Sequence, residues 1–154
     1  MKLNVDAGVK EGWGMGIGLI CRGSEGEVVW GMAEHRTEEM EPRLAETWAI
    51  LEEVKEARRR GHTCIIIESD CKTVIEAMKT KERGNSDFHL LLDDILYFCS
   101  NFDSVVWSFV SIKLNVVAHE LAHLGSSAVG WQIWDSSLPE HVMSLVIRDI
   151  NEMR

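Results

Sequence analysis

The first third of the chain follows patterns that are typical of β-strands. Residues 3–6 alternate apolar and polar side chains, as expected for a strand with one buried face. Two apolar runs, 15–21 and 28–33, flank the segment 22–26, whose glycines and serine favour a turn. We therefore predict an antiparallel meander of three strands.

The rest of the chain mixes helical spacing with short β-branched runs. One helix is predicted from Pro42, a residue that the first helical turn tolerates, to Gly61, which ends it. The runs 64–67 and 105–110 predict two strands, the first buried on both faces. Further helices are predicted after Ser69-Asp70, which supply N-cap chemistry, and over 88–99, 115–124 and 140–153.

This order of elements predicts an α/β fold. Strands separated by helices imply right-handed crossovers and parallel pairing. We expect a mixed five-stranded sheet, made of the antiparallel meander and two parallel strands, with helices on its faces. The chain is predicted to form one domain over residues 1–125, with a helical C-terminal extension over 126–154 packed on that domain.

Length and composition narrow the class of protein. A chain of 154 residues with 45% hydrophobic side chains is long enough to bury a core without disulfides. The four cysteines match no zinc-binding spacing, so we expect free thiols in a reducing compartment. No apolar run reaches the roughly 20 residues that cross a bilayer, and the N-terminus lacks a signal-peptide pattern. We expect no membrane partner and an intracellular location, nuclear or cytoplasmic.

The net charge restricts how the protein could contact nucleic acid. The chain has 25 acidic and 16 basic residues, which gives a formal charge of -9. Phosphate affinity comes largely from lysine and arginine, so strong non-specific binding of nucleic acid is not expected. Any such contact would be local or bridged by a metal ion.

Three acidic residues stand on separate predicted elements. Asp6 lies in the first strand, Glu46 in the first long helix and Asp70 just after the fourth strand, where open α/β sheets place their sites. Three converging carboxylates repel one another unless a cation lies among them. Oxygen ligands of this kind suit Mg²⁺ or Mn²⁺.

With these residues in the same order, the sequence resembles the type 1 ribonuclease H domain. The similarity is strongest to the plant ribonuclease H-like branch of retroelement-derived proteins, and it covers roughly Lys2 to Gly125. The segments that carry it are Lys2–Gly8 (KLNVDAG), Leu44–Leu51 (LAETWAIL), Ile67–Asp70 (IESD) and Asn115–Ala122 (NVVAHELA).

The resemblance implies a ribonuclease H-like fold and a specific site. It makes Asp6, Glu46 and Asp70 the catalytic carboxylates that bind metal. It makes His119 the fourth catalytic, metal-binding residue. It implies two bound ions, Mg²⁺ or Mn²⁺, and hydrolysis of the RNA strand of an RNA–DNA hybrid to a 3′-hydroxyl and a 5′-phosphate. Many members have aspartate at the position of His119, and an imidazole nitrogen there favours Mn²⁺ over Mg²⁺.

Few residues are candidates for direct contact with the hybrid. The local basic cluster is formed by Lys72, Lys79, Lys81 and Arg83. Its lysines are candidate phosphate anchors, although a solvated helix face is the better explanation. Trp13, in the turn after the first strand, is a candidate for stacking on a base. The oligomeric state is left open, with a monomer favoured.

Two other functions fit parts of the sequence. The segment His119-Glu120-Leu121-Ala122-His123 matches H-E-x-x-H, in which two histidines one helical turn apart bind the zinc of a protease. No third ligand follows at the expected distance, and the three acidic residues stay unexplained. The second alternative is a module that keeps the ribonuclease H fold and binds nucleic acid or protein without cleaving it.

Overall fold

One mixed β-sheet forms the centre of the protein. The computed structural model describes residues 1–124 and 130–152. The strands are β1 (Lys2–Lys10), β2 (Gly14–Arg22), β3 (Val28–Arg36), β4 (Cys64–Ser69), β5 (Ser104–Phe109) and β6 (Gly130–Asp135). They lie in the order β5-β4-β1-β2-β3-β6. The predicted meander is confirmed as β1–β3, and β1, β4 and β5 run parallel.

Within the described residues, five α-helices and one short 3₁₀-helix accompany the sheet. They are α1 (Pro42–Arg59), α2 (Lys72–Thr80), α3 (Asp87–Cys99), the 3₁₀-helix Ile112–Leu114, α4 (Val116–His123) and α5 (Glu140–Glu152). Pro42 lies in the first turn of α1, as predicted, and Gly61 follows its end with a left-handed φ of 81°. The predicted α/β class is therefore confirmed. No described helix is long and apolar enough to cross a membrane.

The predicted count of five strands is wrong, because β6 adds a sixth. It pairs antiparallel with β3, so the C-terminal segment contributes a strand as well as the predicted helix. Most of its side chains are exposed, and an exposed edge strand lacks the alternation of buried and polar positions that reveals a strand. The predicted boundary between residues 125 and 126 lies outside the described residues, as does Met153 at the predicted end of the last helix.

The predicted N-cap of α2 is also wrong. Its N-cap residue is Cys71, which makes no side-chain capping bond. Ser69 instead accepts a hydrogen bond at Oγ from the backbone N–H of Cys71, at 3.0 Å. The Asp70 carboxylate is thereby left available for other contacts.

Apolar side chains fill the space on both faces of the sheet. The larger cluster includes Leu3 and Val5 of β1 and packs against α1, α2 and α3. The smaller cluster joins Ile20 of β2 to α4 and α5. All four cysteines are free thiols, as expected.

Two glycines of β2 allow α4 to approach the sheet closely. A Cβ atom on Gly18 would collide with the carbonyl oxygen of Ala118, and one on Gly16 would collide with that of Ala122. The helix backbone therefore rests directly on the strand. This close approach fixes the height of α4 above the neighbouring strand, β1.

Candidate metal centre

Three carboxylates from separate elements meet at one point of the fold. Asp6 belongs to β1, Glu46 to α1, and Asp70 follows β4. One oxygen atom from each lies within 4.8 Å of the others. In residues 1–124 and 130–152 this is the only group of three or more potential metal ligands that meets this distance.

Strand register brings the two aspartates together. In the parallel pair of β1 and β4, Val5 lies beside Ser69, so the next residues along the two strands, Asp6 and Asp70, lie at the same level. Ser69 is fully buried, and its hydrogen bond to the Cys71 N–H fixes the turn that follows. The carboxyl end of a parallel strand thus carries Asp70 to the site.

Glu46 reaches the site from α1 and is nearly buried. Its Oε1 accepts a hydrogen bond from the backbone N–H of Ala7 at 3.3 Å. Its Oε2 is buried and has no partner among the described residues. Burial, followed by the negative charges of Asp6 and Asp70, raises the pKa of Glu46 from 4.5 to about 10. The surroundings of the Glu46 carboxylate therefore contain too little positive charge to balance its own negative charge.

Asp70 also lacks compensating positive charge, but to a smaller degree than Glu46. Partial burial, followed by the charge of Asp6, raises its pKa above the ordinary value, while the Asn115 amide and His119 act in the opposite direction. Across the described parts of the chain, the only basic side chain paired with any of the three carboxylates is His119. A hard divalent cation, which prefers carboxylate oxygens, fits this arrangement.

His119 lies beside the carboxylates but contacts only one of them. Its Nδ1 is 2.8 Å from Oδ2 of Asp6, and its side chain is 48% exposed. The structure therefore brings all four predicted site residues together, with His119 hydrogen-bonded to the most central carboxylate.

Asn115 supports the site and was not singled out as a functional residue from the sequence. It is fully buried and donates from Nδ2 to the carbonyl oxygen of Val5 at 2.9 Å. Its Oδ1 accepts from Nδ2 of Asn4 at 3.2 Å. These bonds join the start of α4 to β1 next to Asp6. The sequence signals were an asparagine at the start of a predicted helix and its place at the head of the segment NVVAHELA.

The predicted nucleic-acid contacts are spread over the surface. Lys72 is exposed and begins α2, two residues after Asp70. Lys79 is exposed in the last turn of α2, about 10 Å further along at 1.5 Å per residue, and the exposed Lys81 follows the end of the helix. Trp13 stacks on His35, with ring centroids 4.4 Å apart. Of the three lysines, Lys72 is therefore nearest to Asp70 along the chain.

The H-E-x-x-H segment lies on α4 as predicted, but the protease interpretation lacks a ligand. A catalytic zinc ion normally has three protein ligands. No described residue joins His119 and His123 in a group of three, and His119 is bonded to Asp6. The described residues therefore offer no three-ligand zinc site of the protease type.

Solved structures share the fold at low sequence identity. The N-terminal ribonuclease H domain of a Mycobacterium tuberculosis protein, solved as a fusion with maltose-binding protein, is 20% identical, with a TM-score of 0.71 over 79% of this chain and 89% of that chain. Ribonuclease H1 from the halophilic archaeon Halobacterium salinarum is 18% identical, with a TM-score of 0.73 over 79% and 93%. LC11 ribonuclease H1, solved in complex with an RNA/DNA hybrid, is 15% identical, with a TM-score of 0.72 over 83% and 95%.

Sequence comparison agrees with the shared fold. No curated protein sequence matches the chain significantly. A family model described as reverse transcriptase-like matches residues 4–125, which is most of the chain. The narrower assignment to a plant branch stays a prediction. The chain belongs to the reverse transcriptase-like family and has the ribonuclease H fold.

Proposed function

We propose that the protein hydrolyses the RNA strand of RNA–DNA hybrids with the help of divalent metal ions. The observation that carries this proposal is the meeting of Asp6, Glu46 and Asp70 within 4.8 Å without a lysine or arginine partner in the described chain. When bound there, two Mg²⁺ or Mn²⁺ ions supply positive charge for the attacking water and the leaving oxygen of a phosphodiester. The fold of the solved neighbours supports the same class of activity.

Each residue has a defined part in this proposal. Asp6 is the central carboxylate, since it neighbours both Glu46 and Asp70 and accepts the hydrogen bond of His119. Glu46 and Asp70 would hold the ions together with Asp6. His119 orients Asp6 and offers its Nε2, which makes no hydrogen bond within the described residues, as the fourth ligand.

The substrate is held mainly by local contacts. A groove of about 380 Å³ beside the carboxylates is lined by Arg43, Glu46, Asp70 and Thr73, among others. Lys72 lies in the chain between two residues that line this groove, Cys71 and Thr73, and is our first candidate for a phosphate contact, followed by Lys79 and Lys81. Trp13 is the candidate for base stacking. The net charge of the chain is -9, so only these few cations can make the affinity for the hybrid depend on salt. If they contact phosphates, that affinity should fall steeply as the salt concentration increases.

A binding module that does not cleave is the second candidate. Two observations favour it: the acidic net charge, and the hydrogen bond that engages His119 with Asp6. Such a module would keep the fold and the hybrid-binding surface while hydrolysing nothing.

One experiment separates the two candidates. The purified chain is incubated with a labelled RNA–DNA hybrid in Mg²⁺ and, separately, in Mn²⁺, and binding is measured by gel shift in parallel. Asp70→Asn removes one ligand, and Asp93→Asn is the matched control because Asp93 is an exposed residue of α3. Cleavage that is lost in Asp70→Asn and kept in Asp93→Asn supports the nuclease. Binding without cleavage in either ion contradicts the nuclease and supports the module.

A further inference from the structure

The two histidines of α4 form a pair that the proposed hydrolysis does not fully use. His119 and His123 lie one helical turn apart, and their ring centroids are 4.3 Å apart. Both residues are exposed. Two imidazole nitrogens on a tetrahedral ion with bonds of about 2.0 Å are separated by about 3.3 Å, a span that the side chains of such a pair can reach.

Hydrogen bonds determine which ring nitrogen of each histidine is free. Nδ1 of His123 lies 2.8 Å from the backbone carbonyl oxygen of His119. A carbonyl oxygen only accepts, so in the neutral imidazole Nδ1 of His123 carries the proton and Nε2 keeps its lone pair. Nδ1 of His119 lies 2.8 Å from the carboxylate of Asp6, so the neutral ring donates from Nδ1 to that carboxylate and keeps the lone pair on Nε2.

This is the arrangement found around metal-binding histidines. A ligating imidazole normally donates its other N–H to a carboxylate or a backbone carbonyl, and here His119 uses the first partner and His123 the second. The ring of His123 also lies against β1, since a Cβ added to Gly8 would lie 3.7 Å from its Nε2, an ordinary contact distance. Both rings are therefore oriented before any ion arrives.

We propose that His119 and His123 bind a borderline transition-metal ion, Zn²⁺ first of all, through their Nε2 atoms, at a site separate from the carboxylate cluster. Imidazole suits Zn²⁺, whereas carboxylate oxygens suit Mg²⁺ and Mn²⁺, so the adjacent sites select different ions. With two protein ligands, the zinc site is completed by water. This site binds a metal ion, and we do not propose that it hydrolyses peptides.

The zinc site and the carboxylate cluster are coupled through one hydrogen bond. When zinc occupies Nε2 of His119, this atom is shared with His123 in the zinc site. It can then no longer serve as the fourth ligand of the carboxylate cluster. Zinc is therefore expected to inhibit hybrid cleavage. This consequence rests on the proposed hydrolase function, but zinc binding itself does not.

The test measures zinc binding without nucleic acid. The full chain is stripped with EDTA, dialysed, and titrated with Zn²⁺ against a chromophoric chelator, and Co²⁺ is used to record the visible absorption of a nitrogen-ligated ion. The variant is His123→Ala. The matched control is His141→Ala, which removes another exposed helical histidine, and Asp70→Asn tests the carboxylate cluster. Circular dichroism verifies that each variant is folded.

The expected result is a zinc site present in the parent protein, His141→Ala and Asp70→Asn, and weakened by at least about tenfold in His123→Ala. Long-range ¹H–¹⁵N spectra of the parent protein should show Zn²⁺ shifting Nε2 of both His119 and His123. Unchanged affinity in His123→Ala, loss of binding in Asp70→Asn, or ring signals that do not move would overturn the proposal.

A separate assay addresses inhibition. If the parent protein cleaves hybrids, zinc should inhibit it and should inhibit His123→Ala at least about tenfold less. Zinc binding without any cleavage would contradict the proposed hydrolase and leave the zinc site standing, so the two failures are distinguishable.

Discussion

The side-chain amide of Asn115 donates a hydrogen bond of 2.9 Å to the carbonyl oxygen of Val5, the residue before Asp6. Both groups are buried, and the bond connects the start of α4 to the strand that carries the central carboxylate. The position of His119 relative to Asp6 therefore depends on Asn115, which contacts no substrate in our proposal and acts as a positioning residue.

Replacing Asn115 with alanine should destabilise the protein by about 1–3 kcal/mol, because the buried carbonyl of Val5 and the amide of Asn4 lose a partner. Urea denaturation measures the free energy of unfolding. Asn101→Ala, at an exposed turn residue, is the control and should change stability by less than about 0.5 kcal/mol. Equal stability of the two variants would contradict the supporting role of Asn115.

The raised pKa of Glu46 predicts that the free energy of unfolding of the metal-free protein decreases as the pH rises. Below about pH 4.5 the side chain is protonated in both the folded and the unfolded chain, and its contribution to stability is fully present. As the pH rises towards the folded pKa of about 10, the unfolded chain ionises first, so this contribution is lost. In EDTA at pH 8, Glu46→Gln should therefore be more stable than the parent protein by at least about 1 kcal/mol.

Thermal unfolding in EDTA at pH 4.5 and pH 8 tests this prediction. The advantage of Glu46→Gln should shrink at the lower pH. An advantage that is absent at pH 8, or equal at both values, would show that Glu46 is not held in the protonated form.

Divalent ions should reverse this pH-dependent loss of stability. Mg²⁺ or Mn²⁺ bound among Asp6, Glu46 and Asp70 relieves their repulsion, so the melting temperature should rise with ion concentration, and more with Mn²⁺ because of His119. Differential scanning fluorimetry measures the shift. Asp70→Asn should lose most of it, and Asp93→Asn should keep it. A shift of the same size in both variants would place the ion elsewhere.

The contact between α4 and β2 predicts a strong effect at Gly18. Alanine at this position collides with the carbonyl oxygen of Ala118, so α4 must move away from the sheet, at a cost of about 1–3 kcal/mol. Gly8→Ala is the matched control in the neighbouring strand, because its Cβ meets His123 at an ordinary contact distance of 3.5 Å. Chemical denaturation of both variants measures the difference. Tolerance of Gly18→Ala would show that the helix does not depend on this close approach.

Glu53 offers a test outside the site. It is fully buried in α1, and neither carboxylate oxygen has a hydrogen-bond partner among the described residues. Burial raises its pKa well above 4.5, so its contribution to stability is present below that pH and is lost as the pH rises. Glu53→Met should increase the free energy of unfolding at pH 8 by about 1–3 kcal/mol, and by less at pH 4.5.

Chemical denaturation at both pH values measures the effect of Glu53→Met. Glu53→Gln is the control, since it removes the titration but keeps a buried polar group. If Glu53→Met is no more stable than the parent protein at pH 8, the carboxyl group has a partner that the structure does not show.

The sequence by itself determined most elements of the fold and three members of the site. Alternation in β1, the β-branched run of β4 and helical spacing from Pro42 are local patterns, and the order of Asp6, Glu46 and Asp70 along these elements predicted that they converge. Local periodicity is sufficient to predict the elements, and the order of the elements along the chain is sufficient to predict that these three carboxylates converge.

Only the tertiary structure decided the remaining features. The edge strand β6 has too little burial to leave a pattern, so its pairing with β3 was not foreseen. The burial of Glu53, the bond from Asn115 to Val5 and the contact of His119 with Asp6 each join or enclose groups far apart in the chain. The geometry of these contacts depends on how the helices pack against the sheet. Packing distances of this kind are not encoded in any short segment of sequence.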